Sequence, residues 1–292
     1  MHELLKISKT LSLQPYLRFY EIMDYPVPKN AELFFQYSDT ELTNNNKILK
    51  DIEKNNSFSW NKKSEYMDEY LKEINRLKTT FKSIPFVEQI FLCNSISFNA
   101  LDNNSDIDLF IIAQHWRIRT VKFRSMILFA LKWAKRIWKN SRKKICLSFF
   151  ITSNSQNLYP ISLPTLDVYL AYWIAHLVLI YQPTEKINNS FFENNKWVKW
   201  ILPNYQEKQT ISLWINPFIW NTKLKKIIES LWNWLLWNMF EVIIKYIQKA
   251  IINLKIMLNP IWNKDVITSD TMLKFHQDIR EKVSLKYNLK TK

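Results

Sequence analysis

The stretch Asn94-Ser95-Ile96-Ser97-Phe98-Asn99, followed after a polar turn by Asn104-Ser105-Asp106-Ile107-Asp108-Leu109, decides how this chain is read. Immediately before it, Val87 to Cys93 has strand length and ends in the apolar residues Ile90 to Cys93. Residues i and i+2 of a β-strand share a face. The spacing therefore predicts Asp106 and Asp108 side by side, with Ile107, Leu109 and Ile111 turned to the core. Adjacent carboxylates repel unless a cation lies between them, and hard oxygen donors of this kind hold Mg2+ beside phosphates. Taken alone, an Asp-Ile-Asp triplet also fits an exposed edge strand.

The wider pattern resembles the signature of the DNA polymerase β-like nucleotidyltransferase superfamily. In that family a strand ends in Gly-Ser, a short helix carries a second small residue, and the next strand reads Ser-Asp-Ile-Asp-Leu. Here Asn94-Ser95 stands at the Gly-Ser position, Asn99 at the second glycine, and Ser105-Asp106-Ile107-Asp108-Leu109 at the metal strand. Segments 19–26, 197–204 and 274–278 also resemble parts of uncharacterised bacterial nucleotidyltransferase-domain proteins. The resemblance implies an α+β fold whose core is a short mixed sheet with helices. It implies Mg2+ on Asp106 and Asp108, with Asn94, Ser95, Asn99 and Ser105 at the nucleotide. The reaction implied is nucleotidyl transfer from an NTP to an acceptor hydroxyl, on a nucleic acid or a small molecule.

Two departures bear on that reading. The family's first glycine lets backbone N–H groups approach the triphosphate; asparagine is the best substitute where φ must be positive, and its amide can donate to phosphate, but it adds bulk. The family also carries a third carboxylate on a later strand, which commonly acts as the general base. The strand candidate, 145–151, contains no acid, and Ser148 is its expected occupant of that position. The alternative is a catalytically inactive nucleotide- or RNA-binding protein on the same fold.

The chain has no glycine and 13 tryptophans. At ordinary usage about twenty glycines are expected in this length. Trp60, Trp116, Trp138 and Trp262 fall where turn chemistry asks for glycine. One explanation is a genetic code in which a codon read here as Trp specifies Gly. The other is a glycine-free protein with Asn at the positive-φ positions. Trp197 sits in an amphipathic pattern and reads as an aromatic anchor under either.

A formal charge of +15 is concentrated after the metal strand: from Arg117 to Lys144 the chain holds eleven Lys and Arg and no acid. Interleaved apolar residues predict an amphipathic helix with its bases exposed, a face that attracts phosphates. Arg117, Arg119 and Lys122 are the expected phosphate ligands. A basic helix binding an acidic partner is a third, plainer role.

The expected organisation is a helical unit over 1–80, in the element order of a winged helix or a helical cap, a core over 81–163 and a helical unit over 164–292. Helices are expected at 14–23, 29–36, 46–54, 66–84, 166–181, 190–200, 223–256 and 271–287, with Phe58 and Trp60 in a hairpin. Asp270 reads as a helix cap, and His276 with Asp278 and Arg280 as a capping or docking cluster. Cys93 and Cys146 read as reduced packing residues of a cytoplasmic protein, and the N-terminus lacks signal-peptide character. The apolar run 168–181 is too short to span a membrane, and 231–258 is broken by charges at helical spacing, so it is expected to pack on the core without stable membrane insertion.

Overall fold

The computed structural model describes residues 19–20, 22–25, 65–134, 142–183, 189–202, 218–219, 229–230, 236–258, 266–275 and 279–289. Among these residues the fold is mixed α+β. Strands β1 (Val87–Cys93), β2 (Ile107–Ala113), β3 (Ile145–Thr152), β4 (Val178–Gln182), β5 (Phe218–Ile219), β6 (Ile267–Thr268) and β7 (Met272–Lys274) form one sheet in the order β5-β4-β1-β2-β3-β7-β6. β1 pairs antiparallel with β2 and with β4, whereas β2 and β3 run parallel. The described helices are α1 (Met67–Arg76), α2 (Lys78–Ser83), α3 (Ile118–Leu131), α4 (Val168–Ala175), α5 (Ser190–Asn194), α6 (Leu236–Leu258) and α7 (Arg280–Leu289).

The sheet is covered on both faces, which is why its strands read as continuous apolar runs. On one face Ile107, Leu109 and Ile111 pack with α1, α2 and α3, through Tyr70, Phe81, Val121 and Phe129. On the other, Phe91, Phe110 and Phe149 pack with Phe19, Tyr20, α4 and α7. Phe110 meets Trp173 of α4 edge-on at 5.2 Å, and Phe19 stacks on Tyr172 at 4.0 Å. The expected alternation of β2 thus holds, with Ile107, Leu109 and Ile111 on the α3 side and Asp108 on the α4 side with Phe110 and Ile112.

Several expected helices take other forms. The 166–181 run is α4 followed by strand β4, which pairs with β1. Asp167 ends the preceding loop by accepting from the N–H groups of Leu163 and Leu170, and it pairs with Arg280 at 3.0 Å. The 271–287 segment is β7 and then α7, so Asp270 does not cap a helix; it lies in the β6–β7 turn and receives Arg119 and Lys245. The 190–200 segment divides into α5 and a 3₁₀ turn, Lys196–Trp200, with Trp197 buried. The expected 66–84 helix divides at Leu77. The C-terminal segment therefore supplies strands as well as helices. Residues 29–36, 46–54, the Phe58–Trp60 hairpin, His276 and Asp278 lie outside the described residues.

α6 corrects the expectation for 231–258 most sharply, because it docks by its polar side. Glu241 accepts from the backbone N–H groups of Arg119 and Thr120 and from the Thr120 hydroxyl, capping α3; Lys245 reaches Asp270, and Gln248 donates to the Arg119 carbonyl. The open N-terminus of α3 supplies donors that an apolar face cannot satisfy. Met239, Tyr246, Leu254 and Met257 are left exposed. No helix among the described residues is long and apolar enough to cross a membrane.

Among the described residues seven have positive φ, and three of them end helical turns in one way. Asn99 (φ 57°) follows the 3₁₀ turn Asn94–Ile96; its N–H bonds to Ile96 O and that of Ala100 to Ser95 O. Trp133 (φ 54°) follows α3 identically, its N–H bonding to Ala130 O and that of Ala134 to Phe129 O. Asp24 (φ 53°) precedes Tyr25, whose N–H bonds to Tyr20 O. These are Schellman-type ends, whose left-handed residue is usually glycine. Trp116 (φ 61°) occupies the third position of a turn closed by Arg117 N–H to Gln114 O, another glycine position. Trp60, Trp138 and Trp262 lie outside the described residues.

Candidate metal and nucleotide site

The site forms where β1 ends and β2 begins. Cys93, the last residue of β1, stands opposite Asp108, and Asp108 stands opposite Cys146 of β3. In-register residues on neighbouring strands share a face, so Cys93, Asp108 and Cys146 form a row, with Asp106 two residues outward. Asp108 is buried; Asp106 and Cys146 are half-buried. One ligand atom from each of Asp106, Asp108 and Cys146 lies within 4.8 Å of the other two.

β1 passes directly into the Asn94–Ile96 turn, which therefore sits beside the carboxylates. Asn94 is left-handed (φ 57°), and its Oδ1 accepts from Trp173 Nε1 at 2.9 Å, which fixes the carboxamide. Ser97 Oγ and the Phe98 N–H both donate to the Asn94 carbonyl, tightening the turn. Asn94, Ser95 and Asn99 are all half-buried. Ser105 staples the loop before β2: its hydroxyl donates to Asp102 Oδ1 and accepts from the Asp102 N–H, while its carbonyl takes Tyr70 OH at 2.6 Å and the Lys143 N–H.

Aromatic rings close the α4 side. Tyr25 stacks on Phe98 at 4.8 Å, and Phe98 stacks on His176 at 4.4 Å. Burial, with the Asp108 charge adding to it, pushes the Tyr25 hydroxyl up to about 12. Burial raises both thiols, Cys93 and Cys146, above their ordinary range, and the neighbouring aspartates raise them further. His176 is fully enclosed, bonded to Tyr20 OH and to the Tyr172 carbonyl, and burial lowers it to about 4.

The structure brings Asp106, Asp108, Asn94 and Ser95 together, with Asn99 and Ser105 on the flanking loops. It does not bring Arg117, Arg119 and Lys122 to them. β2 carries the chain roughly 20 Å from the carboxylates before α3 starts, and α3 lies on the opposite face of the sheet. Arg117 stacks over Phe86, Arg119 is buried against Asp270 and the Ser269 carbonyl, and Lys122 sits over Phe275. Arg142, Lys143 and Lys144, from the far end of the basic stretch, approach the carboxylate end: Lys143 and Arg142 pair with Glu69, and Lys144 Nζ donates to the Trp133 carbonyl.

Sequence reasoning missed Cys146, Tyr25 and Trp173. Ser148 was the expected counterpart of the carboxylates, but β3 carries an extra residue between Cys146 and Phe149, and the parallel register sets Cys146 against Asp108. Asp167 is engaged at the start of α4, where it accepts from the Leu170 N–H and pairs with Arg280. The two carboxylates fit Mg2+, which takes oxygen donors; the third donor is sulfur, which Mg2+ does not favour. Comparison of the chain with models of known protein families, with curated proteins and with solved structures returns no match.

Proposed function

We propose that this chain is a nucleotidyltransferase of the polymerase β-like type. Asp106 and Asp108 hold a divalent cation, and the Asn94-Ser95 turn receives the phosphates of an NTP. The cation would neutralise charge on the phosphates as the nucleotidyl group passes to an acceptor hydroxyl of a nucleic acid or small molecule. One observation supports this reading above the others: the turn and the carboxylates, some ten residues apart in sequence, meet through the Cys93–Asp108 register. Asn94 and Asn99 also hold the backbone conformation that glycine has in the family resembled.

Binding without turnover is the second reading, favoured by the location of Cys146. The strand beside Asp108 offers a thiol where a general-base carboxylate is expected. Burial and the two aspartates keep that thiol protonated at neutral pH, so in the cation-free site it cannot accept the hydroxyl proton.

Calorimetry of the four NTPs with and without Mg2+, on the intact protein and on an Asp106→Asn, Asp108→Asn double variant, tests the site. Binding that requires both the cation and the aspartates is expected; equal binding by the double variant would remove the proposal. Transfer of label from an α-labelled NTP to an acceptor then separates catalysis from binding alone.

A further inference from the structure

We infer that Asp106, Asp108 and Cys146 form a mixed carboxylate–thiolate site for a thiophilic divalent cation of the zinc class, in place of the Mg2+ that two carboxylates alone would take. The inference deepens the proposed nucleotide site and rests on its two carboxylates. Three donor atoms within 4.8 Å of one another can close on one ion at the usual distances of about 2.0–2.3 Å with small side-chain movements.

Sulfur changes which ion that is. Mg2+ requires near-octahedral oxygen and keeps several waters, whereas zinc accepts Cys, Asp and Glu together in a four-coordinate site. Affinity for mixed N, O and S donors also rises along the divalent series from manganese toward copper and zinc. Three protein ligands leave a fourth position open, which a phosphate oxygen or water can take. Binding replaces the thiol proton by the metal, and the proton leaves to solvent; no oxidation state changes.

A second observation concerns the donor beside the sulfur. Ser148 is 6% exposed, and among the described residues its Oγ has no nitrogen or oxygen partner of normal hydrogen-bond geometry. It lies beside the Cys146 thiol. That contact with sulfur is the one its hydroxyl has among the described residues. A metal-bound thiolate is an acceptor, and Ser148 is placed to donate to it, as outer-shell groups commonly do for metal ligands. Cys93 provides an internal contrast. It flanks Asp108 from β1, but two strand spacings, about 10 Å, separate it from Cys146. That exceeds the span of a disulfide, and neither cysteine is in one.

The test titrates the intact protein with Co2+ as a spectroscopic probe. A near-ultraviolet thiolate-to-cobalt charge-transfer band is expected, displaced by stoichiometric Zn2+ and unaffected by excess Mg2+. Cys146→Ser should abolish the band and weaken Zn2+ binding on the order of 100-fold, at least the loss seen for outer-shell partners. Cys93→Ser should keep both. Cys146→Asp should bind Co2+ without the band and yield to Mg2+. The absence of the band in the intact protein, or its survival in Cys146→Ser, would overturn the assignment. The nucleotide reading fails separately: a cobalt–thiolate band with no cation-dependent NTP binding removes that reading and leaves the metal site standing. NTP binding with Mg2+ and no band does the reverse.

Discussion

Trp133→Gly should stabilise this protein, although replacing tryptophan by glycine usually does the opposite. Trp133 is the left-handed residue of the Schellman-type end of α3, and Ala134 and Phe129 bury themselves behind it. An L-residue in that conformation costs about 1–2 kcal/mol, and bulk makes it a true outlier. Glycine removes that cost but gains unfolded-state freedom worth about 0.5–1 kcal/mol. Little burial is forfeited, because the Trp133 side chain is 83% exposed. The net is a gain of roughly 0.5–1 kcal/mol, or a midpoint about 2 °C higher in a chain of this size. Trp116→Gly should act likewise, since Trp116 is 62% exposed and its ring meets mainly that of His115. The length of α3, about 20 Å, separates the two sites, so the gains should add. Trp197→Gly is the contrast: that ring is buried, its Nε1 bonds Asn195, and its loss should cost about 3–5 kcal/mol. Urea and thermal unfolding followed by far-ultraviolet circular dichroism avoid the lost fluorophore. A lower midpoint for Trp133→Gly would refute the reasoning. An intact mass of natively expressed protein then decides between strained tryptophans and glycines at these positions.

Glu241→Ala should lower stability by about 1–2 kcal/mol, because it uncaps α3 at two N–H groups and the Thr120 hydroxyl; faster hydrogen exchange at Arg119 and Thr120 should accompany the loss. His176 makes stability pH-dependent: below pH 6.5 the unfolded chain takes up a proton that the folded chain refuses until about pH 4. Stability should therefore be level above 6.5 with respect to this group and fall by up to about 3 kcal/mol between 6.5 and 4. Urea unfolding at pH 7, 5.5 and 4 should show that slope, flattened in His176→Gln; an unchanged slope in the variant would assign it to other groups.

The three inner strands were legible because their signal is local. Val87–Cys93 ends in a closed apolar run, Ile90 to Cys93, and the residues from Asp106 alternate acidic and apolar before turning wholly apolar, as a strand does when both faces are covered. Residues 166–181 carry the same signal without a period, and an apolar run that is buried all round reads equally as helix or strand. Only the turn at His176 and Leu177 separates α4 from β4. β7 has three residues, too few to show an alternation. The polar docking of α6 was hidden for a different reason. The usual rule assigns the apolar face to the core, but the unsatisfied N–H groups of a neighbouring helix, distant in sequence, outcompeted it.

The candidate site divides along the same line. Asp106 with Asp108, and the left-handed Asn94 and Asn99, follow from side-chain periodicity and backbone chemistry within a few residues. Arg117, Arg119 and Lys122 were drawn to the site by closeness in sequence, yet one strand length and a change of face remove them. Cys146 required knowledge of a parallel register and of where the extra residue in β3 falls. A pairing one residue further along would set Leu147 against Asp108 and turn its side chain to the opposite face; two residues further would set Ser148 there, an oxygen donor. Which donor atom stands beside Asp108 is therefore fixed by strand pairing, and nothing within residues 145–151 alone distinguishes a sulfur donor from an oxygen one.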